Sequence, residues 1–488
     1  MNNTALRVVF ITAEAAPFAK TGGLADVAGS LPNALRQLNV DIRMVMPGYR
    51  QVFEHGLRHE LVFPNLKAWL GSQRLIFQVR KLSVENVAPI YIIDREDMFD
   101  RPHLYGDYAG DYYDNAERFI FFCRAVVSLM HAWDFTPQIV HCNDWHTGLI
   151  PAYLQSEPAF HRIKTLFTVH NLGYSGLFSS DKFALTGLDS SHYQPDGLEF
   201  FGKWSMLKAG LVYSRAVSTV SPTYAREIQT PEYGKGLDGV FRNRQASVFG
   251  LLNGVNYQQW SPETDASLPA RYTPDDLSGK RICKGALIRA CQLDGSLMER
   301  PVIGIVSRLD IQKGIDLIIP ILRELIESLN AGLVILGTGD AILQQRLQQS
   351  GEPYAGVFAF IQRFDEKMSR QILAGADMLL VPSRYEPCGL TQLYGMKYGT
   401  IPVVRATGGL NDTVSEADER SGKGTGFTFK HTEPADCLTA IQKAVRVYRM
   451  PPIWRRIQSN CMSMDFSWES AARNYLSLYR QLAMESTR

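Results

Sequence analysis

The 488-residue chain, 45% hydrophobic and 20% charged, has room for two or three domains at roughly 150 residues each. Its 51 basic and 49 acidic residues leave a net charge of +2, so no broad field draws it to nucleic acid or to a membrane surface. An anionic partner has to be recognised at a local site. Seven scattered cysteines form no disulfide framework, and no apolar run approaches the ~20 residues that span a bilayer. Residues 1–5 run straight into an apolar segment with no secretory signal in view, so a cytoplasmic protein with reduced thiols is expected.

Residues 7–12, RVVFIT, are mostly apolar with β-branched side chains and predict a buried strand. Lys20-Thr21-Gly22-Gly23-Leu24-Ala25-Asp26-Val27 follows, and Leu24, Val27, Leu31, Leu35 and Leu38 recur at helical spacing. Lys20, Gly22 and Gly23 therefore sit on a strand-to-helix turn, where backbone N–H groups and a helix dipole aim at one point. One reading of the turn is binding of a phosphate or another anion; the other is a tight turn with a solvated lysine. Residues 41–47 read as a second strand and complete a βαβ unit. Residues 73–79 and 88–94 predict strands with no helix between them, an antiparallel insertion or edge. Residues 94–113 show no clear period and read as a long ordered loop. Its Tyr105, Tyr108, Tyr112 and Tyr113 either offer flat surfaces to sugars or pack the loop.

Residues 138–146, QIVHCNDWH, form a strand ending in polar residues, and ligands of open α/β sheets bind outside such strand ends. Asp144 with Trp145 fits a sugar site, the carboxylate accepting hydroxyl hydrogens and the indole packing a ring face. His141, Asp144 and His146 are also the one candidate metal cluster, although their spacing matches no recognised metal motif. A further strand, 164–171, ends in His170-Asn171, and Ser221-Pro222 predicts a capped helix start.

Residues 257–277 are rich in Pro, Ser, Thr and Asp and read as a linker, with a helix at about 280–291 beyond it. Apolar runs at 301–309, 333–337, 357–361, 378–382 and 401–404 alternate with helical stretches, the pattern of a parallel sheet covered on both faces. The fold class is therefore α/β, two doubly wound domains with a cleft between them. Thr21-Gly22-Gly23-Leu24-Ala25-Asp26 is echoed by Thr407-Gly408-Gly409-Leu410-Asn411-Asp412, one copy per domain. Arg308 and Lys313 bracket a strand-to-helix turn and predict a pyrophosphate site; surface ion pairs with Asp310 or Asp316 are the alternative. In PSRYEPCGLT, Glu386 lies in a Pro-bounded loop and Gly389-Leu390-Thr391 starts a helix, while Cys388 reads as a packing residue.

With these segments in view, the chain resembles bacterial glycogen (starch) synthases, retaining glucosyltransferases of the GT-B fold. The resemblance is carried by KTGGLADV, NDWHTGLIPAYL, FTVHNLGYSG, LLNGVN, SRLDIQKG, VPSRYEPCGLTQLYGMKYGTIPVV, ATGGLNDTV and DFSWESAARNYLSLYR, spread over essentially the whole chain. It implies two Rossmann-like domains, 1–255 on the acceptor side and 256–465 on the donor side, with 466–488 forming a helix that crosses back to the first. It implies transfer of glucose from ADP-glucose to the 4-hydroxyl at the non-reducing end of an α-1,4-glucan. By the same resemblance Lys20 reaches the diphosphate when the domains close, Asp144 lines the sugar and acceptor region, and His170 lies beside the anomeric centre. Arg308 and Lys313 grip the phosphates, Glu386 lies near the donor glucose, and Gly389, Leu390 and Thr391 lie beneath the phosphates. Asn253 is near the donor. Phe364 stands where the family often has a tyrosine stacked on adenine, which keeps the stacking and removes the hydroxyl.

Departure of the diphosphate leaves an oxocarbenium-like sugar and extra negative charge, which positioned cations and N–H donors stabilise. The chain has no Asp-x-Asp pair suited to a Mg²⁺ bridge, so no metal and no other cofactor is expected. Retention by same-face attack within an ion pair is favoured by the resemblance over a covalent glucosyl-enzyme. UDP-glucose as donor, a metal hydrolase and a catalytically dead glucan-binding protein are the rival readings.

Overall fold

The structure is a computed structural model that describes residues 5–107 and 110–485; Tyr108 and residues 1–4 lie outside them. The chain divides into two compact units. One comprises residues 1–220, 225–254 and 468–488, the other residues 221–224 and 255–467.

The first unit is built on strands β1 (Leu6–Ile11), β2 (Val40–Pro47), β3 (His59–Leu70), β4 (Gln73–Leu82), β5 (Ile90–Asp94), β6 (Ile139–Asn143), β7 (Lys164–Val169), β8 (Ala216–Thr219) and β9 (Val248–Gly250). They form one sheet in the order β9-β8-β7-β6-β1-β2-β5-β4-β3. The seven strands from β9 to β5 are parallel, with Ile11 opposite both Val45 and Cys142. Val8, Val9, Phe10 and Ile11 are completely buried, as expected of a strand with helices on both faces. The antiparallel edge predicted near residues 60–93 is the β3–β4 hairpin, in which β3 shows no apolar run of its own. The expected loop at 94–113 contains a short helix, Glu96–Phe99, and an antiparallel pairing of Gly106–Asp107 with Gly110–Asp111. Helix α1 (Gly23–Gln37) follows β1, and α2 (Asn115–Ala132) precedes β6.

The second unit holds a six-stranded parallel sheet of β10 (Val302–Val306), β11 (Gly332–Leu336), β12 (Phe358–Ile361), β13 (Met378–Val381), β14 (Ile401–Arg405) and β15 (Phe427–Phe429). The order is β12-β11-β10-β13-β14-β15, so the direction in which successive strands are added to the sheet reverses between β10 and β13, just as it does between β1 and β6 in the first unit, while all these strands stay parallel. Both units thus have a doubly wound sheet with a switch point where ligands of such sheets bind. Residues 257–277 are not a free linker. Leu268 and Tyr272 are buried, Trp260 stacks on Tyr394 at 4.1 Å, and Arg370 sits 3.9 Å above the indole. Polar composition denies the segment a regular period, yet its aromatic side chains still bury.

Beyond β10 the expected helix is replaced by tight turns at Ile311–Lys313, Ile315–Leu317 and Ile319–Ile321, then a wide turn at Glu324–Ser328. Gly314 at φ +66° breaks the first turn from the second, and Pro320 has no N–H to continue a helical ladder. The remaining helices that matter for the site are α3 (Thr391–Lys397) and α4 (Gly408–Thr413). The last helix, α5 (Trp468–Met484), belongs to the first unit, where Trp468, Ala472, Tyr475, Tyr479 and Leu482 bury its apolar stripe and α1 is its principal neighbour.

Candidate active site

In the first unit the ends of β1, β6 and β7 carry Glu14, Asp144 and His170. Glu14 is 4% exposed. One of its oxygens accepts the N–H groups of Thr21 (2.7 Å) and Gly22 (3.2 Å). The other accepts the hydroxyls of Thr21 (2.7 Å) and Tyr105 (2.8 Å). The amides of Thr21 and Gly22, expected to face a phosphate, are therefore engaged by the chain's own carboxylate. Lys20 stays half-exposed, its ammonium 2.6 Å from Asp26.

Asp144 has φ +55° and ψ 177°, a region that side chains other than glycine rarely adopt. Such strain at a strand end is tolerated where the surroundings hold it, and here the Asp144 carboxylate accepts the His170 N–H at 2.7 Å. Burial pushes its pKa up to about 7. The amides of His170 and Asn171 oppose that rise, and the Glu14 charge adds to it. The side-chain amide of Asn143 donates to the Ile11 carbonyl (3.0 Å), so its oxygen faces His170 Nε2 at 2.9 Å. A carbonyl oxygen accepts only, hence Nε2 carries the proton and Nδ1 the lone pair. Burial lowers the His170 pKa to about 3, which keeps the ring neutral.

The metal cluster is not assembled. His141 is completely buried between sheet and C-terminal helix, Nδ1 on the Tyr479 hydroxyl and Nε2 on Thr168 Oγ1, both at 2.6 Å. His146 stacks on Trp145 (3.9 Å) and Tyr105 (4.6 Å), and among the described residues neither of its ring nitrogens has a partner. No group of three His, Cys, Asp or Glu side chains among the described residues is arranged to hold a metal ion. Trp145 is not a sugar platform either. His146 stacks on it, Phe119 meets it at 73°, and Gly176 presses so close that a Cβ there would lie 2.5 Å from the indole. Tyr105 and Tyr112 pack the protein, Tyr112 beneath Arg101 and Arg118, whereas Tyr113 is 90% exposed.

In the second unit Lys313 and Glu386 meet. Lys313 Nζ is 2.6 Å from Glu386 Oε2, which also accepts the Ser383 hydroxyl at 3.0 Å. Both partners of this ion pair are largely buried. Arg308 is half-exposed with Asp310 at 3.4 Å, and Asp316 is claimed by a two-pronged pair with Arg384 at 2.7 and 2.8 Å. Asp310 also caps the tight turn by accepting the Lys313 N–H. Gly389 has φ +71°, and Gln392 Nε2 donates to the carbonyls of Cys388 and Gly389, fixing the entry to α3 beside Leu390 and Thr391. Cys388 is buried and Phe364 is 85% exposed. Asn253, in the first unit, is buried with an amide oxygen that has no partner among the described residues.

Comparison with known proteins decides what these strand ends belong to. Residues 7–243 match the family model "Starch synthase catalytic domain", and residues 294–455 match "Glycosyl transferases group 1". The chain is 42% identical to the glycogen synthase of Syntrophotalea carbinolica over 482 residues, covering 98% of this chain and 99% of that protein. It is 41% identical to the glycogen synthase of Moorella thermoacetica over 491 residues, covering 100% of this chain and 98% of that protein. This chain belongs to the glycogen synthase family. It is a two-domain glycosyltransferase of the GT-B fold, and a solved relative agrees. The catalytic domain of starch synthase IV from Arabidopsis thaliana, bound to ADP and acarbose, superposes with a TM-score of 0.89 at 30% identity, covering 99% of this chain and 100% of that one. Sucrose-phosphate synthase from Thermosynechococcus elongatus, at 18% identity and a TM-score of 0.60, shares the fold.

In this chain the structure joins Asp144 and His170 in one cluster and Lys313 and Glu386 in another, while Glu14 lies outside the motifs and Ser383, Arg384 and Gln392, though inside the motif at 381–404, carry no role that sequence assigns. A carboxylate two residues beyond Thr12, in the gap between a strand and a glycine turn, was the available sign for Glu14.

Proposed function

We propose that this enzyme transfers glucose from ADP-glucose to the non-reducing-end 4-hydroxyl of an α-1,4-glucan, with retention of configuration, without a metal and in the cytoplasm. The observation that carries the donor assignment is the ADP held by the starch synthase IV structure, whose fold this chain follows over 99% of its length. The acarbose in the same structure supports a glucan acceptor. Arg308 and Lys313 at the β10 switch point, with Lys20 from the first unit, are proposed to stabilise the departing diphosphate electrostatically. Glu386 is proposed to hold Lys313 until the donor arrives and then to meet sugar hydroxyls, Asn253 to contact the donor and Phe364 to stack on its base. Asp144 and His170 are proposed to line the glucose, with same-face attack letting the leaving phosphate take the acceptor's proton.

The deciding experiment offers labelled ADP-glucose and UDP-glucose side by side with glycogen. Faster incorporation from ADP-glucose supports the reading, preference for UDP-glucose overturns the donor, and no incorporation from either returns the protein to a glucan binder. Turnover that survives excess chelator supports metal independence; a loss restored by Mg²⁺ refutes it.

A further inference from the structure

Glu14 is buried, charged and central, and no step of the proposed reaction uses it. Its two oxygens accept four hydrogen bonds, about the full capacity of a carboxylate, so it is neither a vacant base nor a competitor for incoming donors. We infer that Glu14 is a positioning residue for Lys20, fixing the turn from which that lysine reaches the departing diphosphate. This rests on the role proposed above for Lys20.

Besides Glu14, the turn is held by the half-exposed Lys20–Asp26 ion pair (2.6 Å) and by the Ala25 N–H on the Gly22 carbonyl (3.3 Å). Thr21, Gly22 and Gly23 are exposed, and a Cβ built on Gly22 would meet nothing within 4 Å. Below the turn, the mutual hydrogen bonds of Ala15 and Ala19 (3.0 and 2.9 Å) close the intervening loop, so Lys20 leaves directly from its neck. Glu14 then pins the next two residues through their amides and the Thr21 hydroxyl. On its other side it is tied to Tyr105, and that loop is itself anchored. The wholly buried Arg118 donates to the carbonyls of Met98 (2.7 Å) and Leu104 (3.0 Å), and Asn115 donates to the Tyr105 carbonyl at 2.8 Å. A single carboxylate thus joins a hydrogen-bonded aromatic loop to an exposed glycine turn. Lysine is a long, flexible side chain, and fixing its stem removes freedom that would otherwise be lost when it engages its target.

The test uses the full chain with ADP-glucose and glycogen, comparing wild type, Glu14→Ala, Glu14→Gln, Lys20→Ala and the Glu14→Ala/Lys20→Ala double variant, each checked by thermal melting. Glu14→Ala is expected to lower kcat about 100-fold while donor KM moves less than about threefold, the signature of a misplaced group. Glu14→Gln keeps an acceptor for the two amides and lets the hydroxyls turn round, and is expected to recover to within about fivefold of wild type. In the Lys20→Ala background, Glu14→Ala is expected to cost less than about twofold more, because residues acting as a unit are not additive. Wild-type kcat in Glu14→Ala, or a loss that multiplies fully with that of Lys20→Ala, overturns the inference while leaving Lys20 its role. An unaltered rate in Lys20→Ala removes that role and the inference together. Should Glu14→Ala fail to fold, Thr21→Val and Tyr105→Phe each delete one donor to Glu14; non-additivity with Lys20→Ala supports positioning, and additivity overturns it.

Discussion

The hexapeptides Thr21–Asp26 and Thr407–Asp412 differ at one residue, Ala25 against Asn411, and both open a helix, yet they occupy different places in the same topology. The first follows the first strand of its sheet, β1, and the second follows β14, the fifth. They are therefore not equivalent halves of a duplicated domain. In the first copy Thr21, Gly22 and Gly23 are exposed, and side chains hold the turn: Glu14 on its amides and Asp26 on Lys20. Around the second the backbone itself fills the space. Cβ atoms built on Gly408 and Gly409 would fall 1.9 Å from the Glu386 carbonyl oxygen and 2.0 Å from that of Cys388, and the Gly409 N–H donates to Glu386 O at 3.1 Å. The same six letters specify a strand-to-helix turn in both places. What surrounds each turn decides whether it faces a ligand or props up a neighbouring loop.

The sharpest way to break this contrast is through the two lysines. Lys313→Ala strands Glu386 as a buried, unpaired charge, and urea unfolding is expected to show a loss of about 3–5 kcal/mol, partly restored by adding Glu386→Gln without recovery of turnover. Gly409→Ala is expected to cost about 3 kcal/mol by the same measurement, since a backbone carbonyl cannot step aside as a side chain does. Asp144 comes next. Its folded-state pKa of about 7 lies above the ordinary 3.8, so the fold holds this proton more firmly than the unfolded chain. Raising the pH from about 4 to about 7 therefore removes stability contributed at this site. Asp144→Asn is expected to flatten that part of the melting-temperature profile while lowering kcat, and Glu14→Gln to move the acidic limb of kcat/KM to lower pH by removing a like charge. Lys20→Ala is expected to cut the rate steeply yet change stability by less than about 1 kcal/mol, because its pair with Asp26 is half in solvent. Gly22→Ala, with open space around it, is expected to stay within about 0.5 kcal/mol of wild type.

Runs such as residues 333–337 and 378–382 announced their strands because a parallel sheet covered on both faces needs uninterrupted apolar segments. Lys313 and Glu386 were legible singly, but their pairing was not. Chain proximity favoured Asp310 or Asp316, whereas the ends of β10 and β13 lie side by side and bring together residues 73 apart. Glu14 was legible only by its place before the glycine turn, for a related reason: it belongs to no period, and its partner Tyr105 is 91 residues away. The helix expected after β10 failed at Gly314 and Pro320, where local backbone limits override an apolar spacing.

The C-terminal helix carries Tyr479 onto His141, whose other nitrogen is held by Thr168, which in turn meets Ser218 at 2.5 Å. A polar chain buried this deeply is not satisfied by water in its absence. The first unit therefore cannot complete this core during synthesis until residues 468–484 have been made, while every residue of the second unit precedes that helix. A nonsense codon near position 466 would deprive the amino-terminal sheet of its final layer and leave the other sheet whole.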